Sequence, residues 1–264
     1  MAENAEKPVV ALFGLTCCAG CQLEILNQED RLLDILGTIK LVQFRMGSSA
    51  THLGPYDVCF IEGSVTNEDE LAKLKELREK SKILIAIGAC ATTGGVNAIR
   101  NGLNTEELKQ TVYSDASHVK TLPSILPLKK YVKIDYELQG CPINGEEFIE
   151  MLTALLTGGE PRQKNYAVCV ECRLKENICL MKEGDLCLGP ITRAGCGALC
   201  PSVGFPCEGC WGPVPQANVD SEIDMFSVKG ASFDTVVRKF RMFNATSEDF
   251  VKELRKRLNI EWLK

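Results

Sequence analysis

The sequence predicts an α/β fold: a flavodoxin-like parallel-sheet domain followed by an irregular, cysteine-rich domain. Three observations carry this. Short β-branched runs alternate with helix-spaced segments over the first 160 residues, the pattern of a parallel sheet covered by helices. The run Lys82–Ile87 is apolar on both faces, as buried parallel strands are. Residues 162–230 show little periodicity but many Gly, Pro and Cys, and so long a stretch needs something besides an apolar core to order it. The Gly158-Gly159-Glu160-Pro161 turn signal marks the boundary, giving domains at 1–160 and 161–264.

Val9–Phe13 is the first strand, short and rich in β-branched residues. Gln22–Leu36 reads as one helix, with Leu23, Ile25, Leu26, Leu32, Leu33, Ile35 and Leu36 at helical spacing. Lys40–Met46 and Asp57–Glu62 are the next strands. Glu68–Lys80 is a helix with Asn67 as N-cap and Glu70 three residues on, a capping box in form. Lys82–Ile87 is the fourth strand, and Tyr131–Tyr136 a fifth strand or extended segment. Glu146–Leu156 is a helix capped by Asn144, with Gly158 just past its end. Near the end of the chain, Phe233–Phe243 and Ser247–Leu258 return to helical spacing, and Ser247 is placed to cap the second.

The 264 residues include 14 Cys and carry a formal net charge of −5. A chain this long buries a core without disulfide staples. The acidic balance argues against nucleic acid and anionic membrane as partners. No apolar run approaches the ~20 residues of a membrane span. The opening MAENAEKP has neither a signal-peptide hydrophobic region nor a twin arginine. A cytoplasmic protein without a membrane span is expected. Thiols stay free in a reducing cytoplasm, so metal binding is the leading use for this many Cys.

In an open α/β sheet, ligands bind outside the carboxyl ends of the strands. Cys17, Cys18 and Cys21 follow the first strand in Leu15-Thr-Cys-Cys-Ala-Gly-Cys21. Cys90 follows the fourth in Gly88-Ala-Cys-Ala-Thr-Thr-Gly-Gly95, and Cys141 follows the fifth in Gly140-Cys-Pro142. These loops can gather four thiolates at one sheet edge, the usual set for a 4Fe–4S cluster. Their glycines admit positive φ and offer unobstructed N–H donors to sulfur. A redox dithiol at Cys18-x-x-Cys21 and simple buried thiols are the competing readings. Cys59, between Val58 and Phe60 inside the third strand, reads as a core thiol.

Eight further cysteines fall within 42 residues: Cys169, Cys172, Cys179, Cys187, Cys196, Cys200, Cys207 and Cys210. Two sets of four thiolates suit two iron–sulfur clusters or two zinc sites, and spacing leaves both open. Cys-Pro at 141–142 and at 200–201 tilts toward iron–sulfur, because it recurs in ferredoxin-type runs.

On these motifs the chain resembles the small subunit of nickel–iron hydrogenases, over roughly residues 8–215. The resemblance implies three 4Fe–4S clusters. Cys18, Cys21, Cys90 and Cys141 would hold a proximal one. Cys169, Cys172, Cys179 and Cys187, the last in Cys187-Leu-Gly-Pro190, would hold a distal one. Cys196, Cys200, Cys207 and Cys210 would hold a medial one. Many membrane-bound or periplasmic relatives have His at the place of Cys169 and a Pro at one medial ligand position. With Cys169 and Cys200 present, all three clusters can be 4Fe–4S. Gly20 and Gly95 stand where oxygen-tolerant members carry two extra Cys, so that specialised cluster is not expected.

The implied function is that of an electron-transfer subunit without a catalytic residue of its own. Its partners would be a large subunit holding the nickel–iron site and a flavin- or iron–sulfur-containing acceptor subunit. The missing export signal resembles the cytoplasmic viologen-reducing, sulfhydrogenase, NAD(P)-linked or bifurcating types. Two alternatives stay open. One is the cluster subunit of NADH:quinone oxidoreductase, in which tandem cysteines like Cys17-Cys18 both ligate, but which lacks the eight-Cys region. The other is a zinc-stabilised scaffold protein. Among the remaining polar residues, His52 and His118 read as surface or hydrogen-bonding groups. Glu24 is a candidate for proton traffic, Arg255-Lys-Arg257 a solvated helix face or a partner of the helix dipole, and Trp211 and Pro213 cluster shields or packing residues.

Overall fold

The computed structural model describes residues 6–258. The chain opens with β1 (Val9–Gly14), α1 (Gly20–Leu26), α2 (Glu29–Leu36) and β2 (Lys40–Phe44). There follow β3 (Tyr56–Glu62), α3 (Glu68–Lys80), β4 (Ser81–Ile87), α4 (Gly88–Thr93), a 3-10 turn at Gly95–Arg100 and α5 (Thr105–Val112). A second 3-10 turn at Leu128–Lys130 precedes β5 (Tyr136–Leu138) and α6 (Gly145–Leu156). The cysteine-rich part holds α7 (Val168–Leu174), a 3-10 turn at Gly189–Ile191, α8 (Leu199–Ser202) and α9 (Val219–Val228). The described chain closes with α10 (Phe233–Asn244) and α11 (Glu248–Leu258).

The five strands are all parallel, in the order β2-β1-β3-β4-β5. This is the flavodoxin-like order expected from the alternation. The chain steps from β1 outward to β2, then back across to β3 on the other side. The switch point therefore lies between the carboxyl ends of β1 and β3, where Gly14 stands opposite Glu62. Successive side chains leave opposite faces of each strand. Val10, Leu12, Phe60 and Ile85 pack with Ile25 of α1 and Phe148 of α6. Ala11, Cys59, Ile61 and Leu84 pack on the other face with Leu74 and Leu77 of α3. Cys59 is fully buried there, the core thiol its neighbours predicted.

The cap of α3 differs from the capping box in one detail. Asn67 Oδ1 accepts the Glu70 N–H at 2.9 Å, as expected, but Glu70 reaches back to the Thr66 N–H at 2.7 Å. Asn144 caps α6 by accepting the N–H groups of Glu146 and Glu147.

Three elements depart from expectation. The single helix over Gln22–Leu36 is two, broken at Asn27-Gln28, with Glu29 at φ +42. No apolar residue falls between Leu26 and Leu32, so no apolar contact holds that turn in line. The strand expected over Tyr131–Tyr136 pairs only over Tyr136–Leu138. Tyr131, Val132 and Ile134 instead pack against the sheet's second core from an irregular segment. Asp135 ends that segment by donating its N–H to Leu84 O and accepting the Leu84 N–H and Arg78 Nη1.

The third departure lies in the stretch read as aperiodic, which contains α9. Its Val219, Ile223 and Phe226 join Leu188, Ile191, Val236, Phe240, Phe250 and Leu254 in an apolar core separate from those on the sheet. The α10 helix lies against both parts of the chain. Thr93 Oγ1 donates to Phe243 O at 2.6 Å, and Arg241 Nη2 donates to Asn101 O at 2.5 Å. Among the described residues no helix is long and apolar enough to cross a membrane.

Candidate metal centres

The loops at the carboxyl edge of the sheet are laced together by backbone. Leu15 N–H donates to Glu62 O at 2.8 Å, Ser64 N–H to Thr16 O at 3.0 Å, and Ala89 N–H to Gly140 O at 2.7 Å. The turns after β1, β3, β4 and β5 thus share one crevice, and Cys17, Cys18, Cys21, Cys90 and Cys141 gather in it. Burial, then the charges of Cys141, Cys18, Cys17 and Glu62, push the Cys90 thiol up to about 12. Burial, Glu62 and Cys141 act likewise on Cys21. Gly88 lets Cys21 approach the backbone: at φ +83, a Cβ there would stand 2.6 Å from Cys21 Sγ.

Glu62 is the residue that cysteine counting overlooks. It is 2% exposed and closes β3 at the switch point. One oxygen accepts the Cys21 N–H and the other Gln22 Nε2, both at 3.0 Å. The signal was present in the sequence: an acid ending an otherwise apolar strand cannot be buried without donors aimed at it. Cys17 lies in the same crevice, where burial and Glu62 push its thiol up to about 11. The edge thus holds five thiols where a cluster takes four.

The eight later cysteines divide in space. Burial first, then its neighbours Cys187, Cys172 and Cys179, push the Cys169 thiol up to about 12. Burial comes first for Cys210 as well, followed by Cys196, Cys141 and Cys200, and its thiol also rises to about 12. Cys207 neighbours both Cys187 and Cys210. A cavity of about 180 Å3 is walled by Cys196, Cys200, Cys207 and Cys210, with Cys141 and Pro142 on its sheet side. The gathered thiols therefore adjoin one another. Cys141 meets Cys210, and Cys207 donates its N–H to Cys187 Sγ at 3.2 Å.

Buried polar side chains hold these loops. Glu171, between Cys169 and Cys172, accepts the N–H groups of Gly195 at 3.1 Å and Ala198 at 3.3 Å, on either side of Cys196. Lys164 bridges Glu171 and Glu147, and Glu147 accepts Trp211 Nε1 at 3.3 Å. Trp211 thus packs beside Cys210 and ties its loop to α6. Glu24 also lines the cavity walled by Cys196 and Cys200. The two histidines stay apart from the thiols: His52 Nδ1 accepts the Gly54 N–H, and His118 is exposed. Arg257 is not merely a solvated charge, because it pairs with Asp220 and Asp224 and fastens α11 to α9.

Glu222 of α9 is buried beside Cys169 and Cys187, and its Oε1 has no hydrogen-bond partner. Burial pushes its carboxyl up to about 7. A raised carboxyl binds its proton more tightly in the folded state. Its contribution is therefore complete below the ordinary carboxylate range and is lost as pH rises through about 7, on the order of 3 kcal/mol. Glu222→Gln is expected to raise the melting temperature of the intact complex at about pH 8 and to change it little at about pH 5. Equal shifts at both values would remove burial of the charge as the cause.

Thiol-only donor sets, one of them lining the cavity of about 180 Å3, fit iron–sulfur clusters. Among the described residues no three His, Cys, Asp or Glu side chains close around a single ion. Backbone N–H groups of Gly189 and Cys207 point at Cys187, and that of Gly209 at Cys207, as sulfur hydrogen bonding around a cluster requires. Burial disfavours the anions of Cys21, Cys90, Cys169, Cys207 and Cys210, so iron binding there must displace protons.

Comparison with known proteins decides the family. A family model described as "NADH ubiquinone oxidoreductase, 20 Kd subunit" matches residues 18–155, which hold four of the five strands and stop short of the eight-cysteine region. Sulfhydrogenase 2 subunit delta of Pyrococcus furiosus is 37% identical, over 89% of this chain and 98% of its own length. The chain belongs to the small-subunit family of nickel–iron hydrogenases. This hydrogenase subunit is also 34% identical to a subunit of the vhu F420-non-reducing hydrogenase of Methanococcus voltae, over 91% and 95% of the two chains. Among solved structures, a chain of an NAD+-reducing [NiFe]-hydrogenase in the H2-reduced state is 30% identical, with a TM-score of 0.55 over 59% of this chain and 94% of that one. Membership in this family implies iron–sulfur clusters and a place in a multi-subunit oxidoreductase.

Proposed function

We propose that this subunit relays electrons between a nickel–iron site in a partner large subunit and a flavin- or iron–sulfur-containing acceptor subunit. The single observation that carries the reading is the chain of contacts between thiols, through Cys141 with Cys210 and Cys207 with Cys187. On this reading Cys18, Cys21, Cys90 and Cys141 hold the proximal 4Fe–4S cluster, within a sheet domain over 1–160. Cys196, Cys200, Cys207 and Cys210 hold the medial one. Cys169, Cys172, Cys179 and Cys187 hold the distal one, both within the part over 161–264. When bound, such clusters accept and release single electrons without proton chemistry of their own.

The protein supplies position, dryness and local charge. Backbone loops at the sheet edge fix the first four thiols, and Glu62 pins the Cys21 amide. Glu171 holds the Cys196 loop on α7, so the medial and distal ligands share one support. Pro142 and Trp211 help to wall the medial cavity. Cys179 is an exposed thiol of the distal group, which gives the relay an end open to a partner. A cytoplasmic location suits thiols that must stay reduced until iron arrives.

Anaerobic purification of the native complex tests this. The expected result is a brown protein with about twelve iron per copy of this chain, nickel in a co-purifying large subunit, and hydrogen-dependent dye reduction. A colourless, zinc-containing chain would establish the scaffold alternative. A brown complex without nickel or hydrogen-dependent activity would overturn the relay assignment.

A further inference from the structure

The junction between the medial and distal thiols carries a charged pair as well. Lys239 of α10 reaches Glu208, with Nζ 2.5 Å from Oε1. The lysine side chain is 13% exposed and the glutamate 33%. Glu208 stands between Cys207 and Cys210, on the stretch of backbone where the two groups of thiols meet. Cys207 donates its N–H to Cys187 Sγ, and Leu188 donates its N–H to Cys207 O at 2.9 Å. The other Glu208 oxygen, Oε2, is buried without a hydrogen-bond partner, so the geometry around Oε1 fixes the carboxylate. Further along α10, Asn244 Nδ2 donates to Gly209 O at 2.9 Å. One helix therefore holds Glu208 by charge and Gly209 by an amide, and brings an ammonium to a place the cysteine motifs do not mark. The Lys239 charge also acts on the Cys187 thiol, in the direction that favours its anion.

A cation near a cluster favours the electron-rich state and an anion disfavours it, most strongly where water is excluded. A partly buried pair also escapes most screening by salt. We propose that the Lys239–Glu208 pair sets how electrons divide between the medial and distal clusters. Lys239 draws electron density toward the side of Cys187, and Glu208 repels it from the Cys207–Cys210 turn. The inference rests on the cluster reading above and adds residues that tune the relay.

The test is an EPR-monitored redox titration of the anaerobically purified complex, with iron per chain measured on every sample. Lys239→Gln is expected to lower the reduced-to-oxidised ratio of the medial or distal cluster by about tenfold at fixed potential, equivalent to about 59 mV for one electron. Glu208→Gln is expected to shift it the opposite way. Lys239→Arg keeps the charge and restores the wild-type value, and the double variant falls between the single ones. The proximal cluster stays unmoved throughout. A purely structural role would move both single variants in the same direction, or cost both of them iron, and either result overturns the proposal. Should Lys239→Gln alone lose iron, Lys239→Arg with full iron and Glu208→Gln with an upward shift still support it; an unmoved Glu208→Gln overturns it. A wild-type complex lacking about eight of its expected iron would instead sink the cluster reading, and this inference with it.

Discussion

Cys21→Ser is expected to remove the cluster at the sheet edge, with iron falling by about a third and hydrogen-dependent dye reduction dropping to background. Cys17→Ser is expected to leave both in place. The two thiols share the same crevice but not the same setting. Cys21 opens α1, is buried against Gly88, and has its own amide pinned to Glu62 at 3.0 Å. Its thiol faces Cys141 across the crevice, so it belongs to a group drawn from three different strand ends. Cys17 is half-buried, and Glu62 is the nearest charge acting on it, ahead of Cys18. Glu62 disfavours the anion of both thiols, so what separates them is geometry: Cys21 has the close approach to Gly88 and the Cys141 neighbour. Iron assay and dye reduction on the two variants decide between the arrangements. Equal iron loss from Cys17→Ser would make the tandem pair the ligands instead.

Gly88→Ala should have the second large effect. The residue lies at φ +83, where a side chain costs about 1–2 kcal/mol. Its Cβ would stand 2.6 Å from Cys21 Sγ, so either the thiol or the start of α4 must move. The combined cost is about 2–4 kcal/mol. That corresponds to a fall in melting temperature of about 4–12 °C for a chain of this size. Because the displaced atom belongs to the proposed proximal ligand set, iron should fall along with stability. Gly158→Ala is the matched control. It has φ +74 and nothing within 4 Å of the added carbon. It should therefore carry the conformational cost alone and keep its iron. If Gly88→Ala also retains full iron, the close approach of Cys21 to the backbone has no part in holding the cluster.

These variants separate what local pattern reveals from what it conceals. Strands β1, β3 and β4 were legible because burial on both faces leaves unbroken apolar runs. The α3 and α6 caps were legible because Asn67 and Asn144 sit at fixed offsets from the helices they start. The fifth strand was displaced because Tyr131, Val132 and Ile134 are partly buried without being paired in the sheet. Apolar alternation reports burial, and burial does not require a ladder. The α9 helix was hidden because its apolar residues lie in a window crowded with Gly, Pro and Cys, and they find their partners in α10 and α11.

The sequence by itself determined that 13 of 14 thiols stand outside the core strands, that most of them arrive in sets, and that a parallel sheet presents the first set at its carboxyl edge. Ligand chemistry is written in residue type and short spacing, which any linear reading can count. Only the tertiary structure decided how the sets adjoin, through Cys141 with Cys210 and Cys207 with Cys187. It alone identified Glu62, Glu171 and Lys239 as the charges lodged among them. The physical reason is that a buried charge is stabilised by whichever donor or counter-charge the fold brings to it, and those partners come from segments distant in the chain.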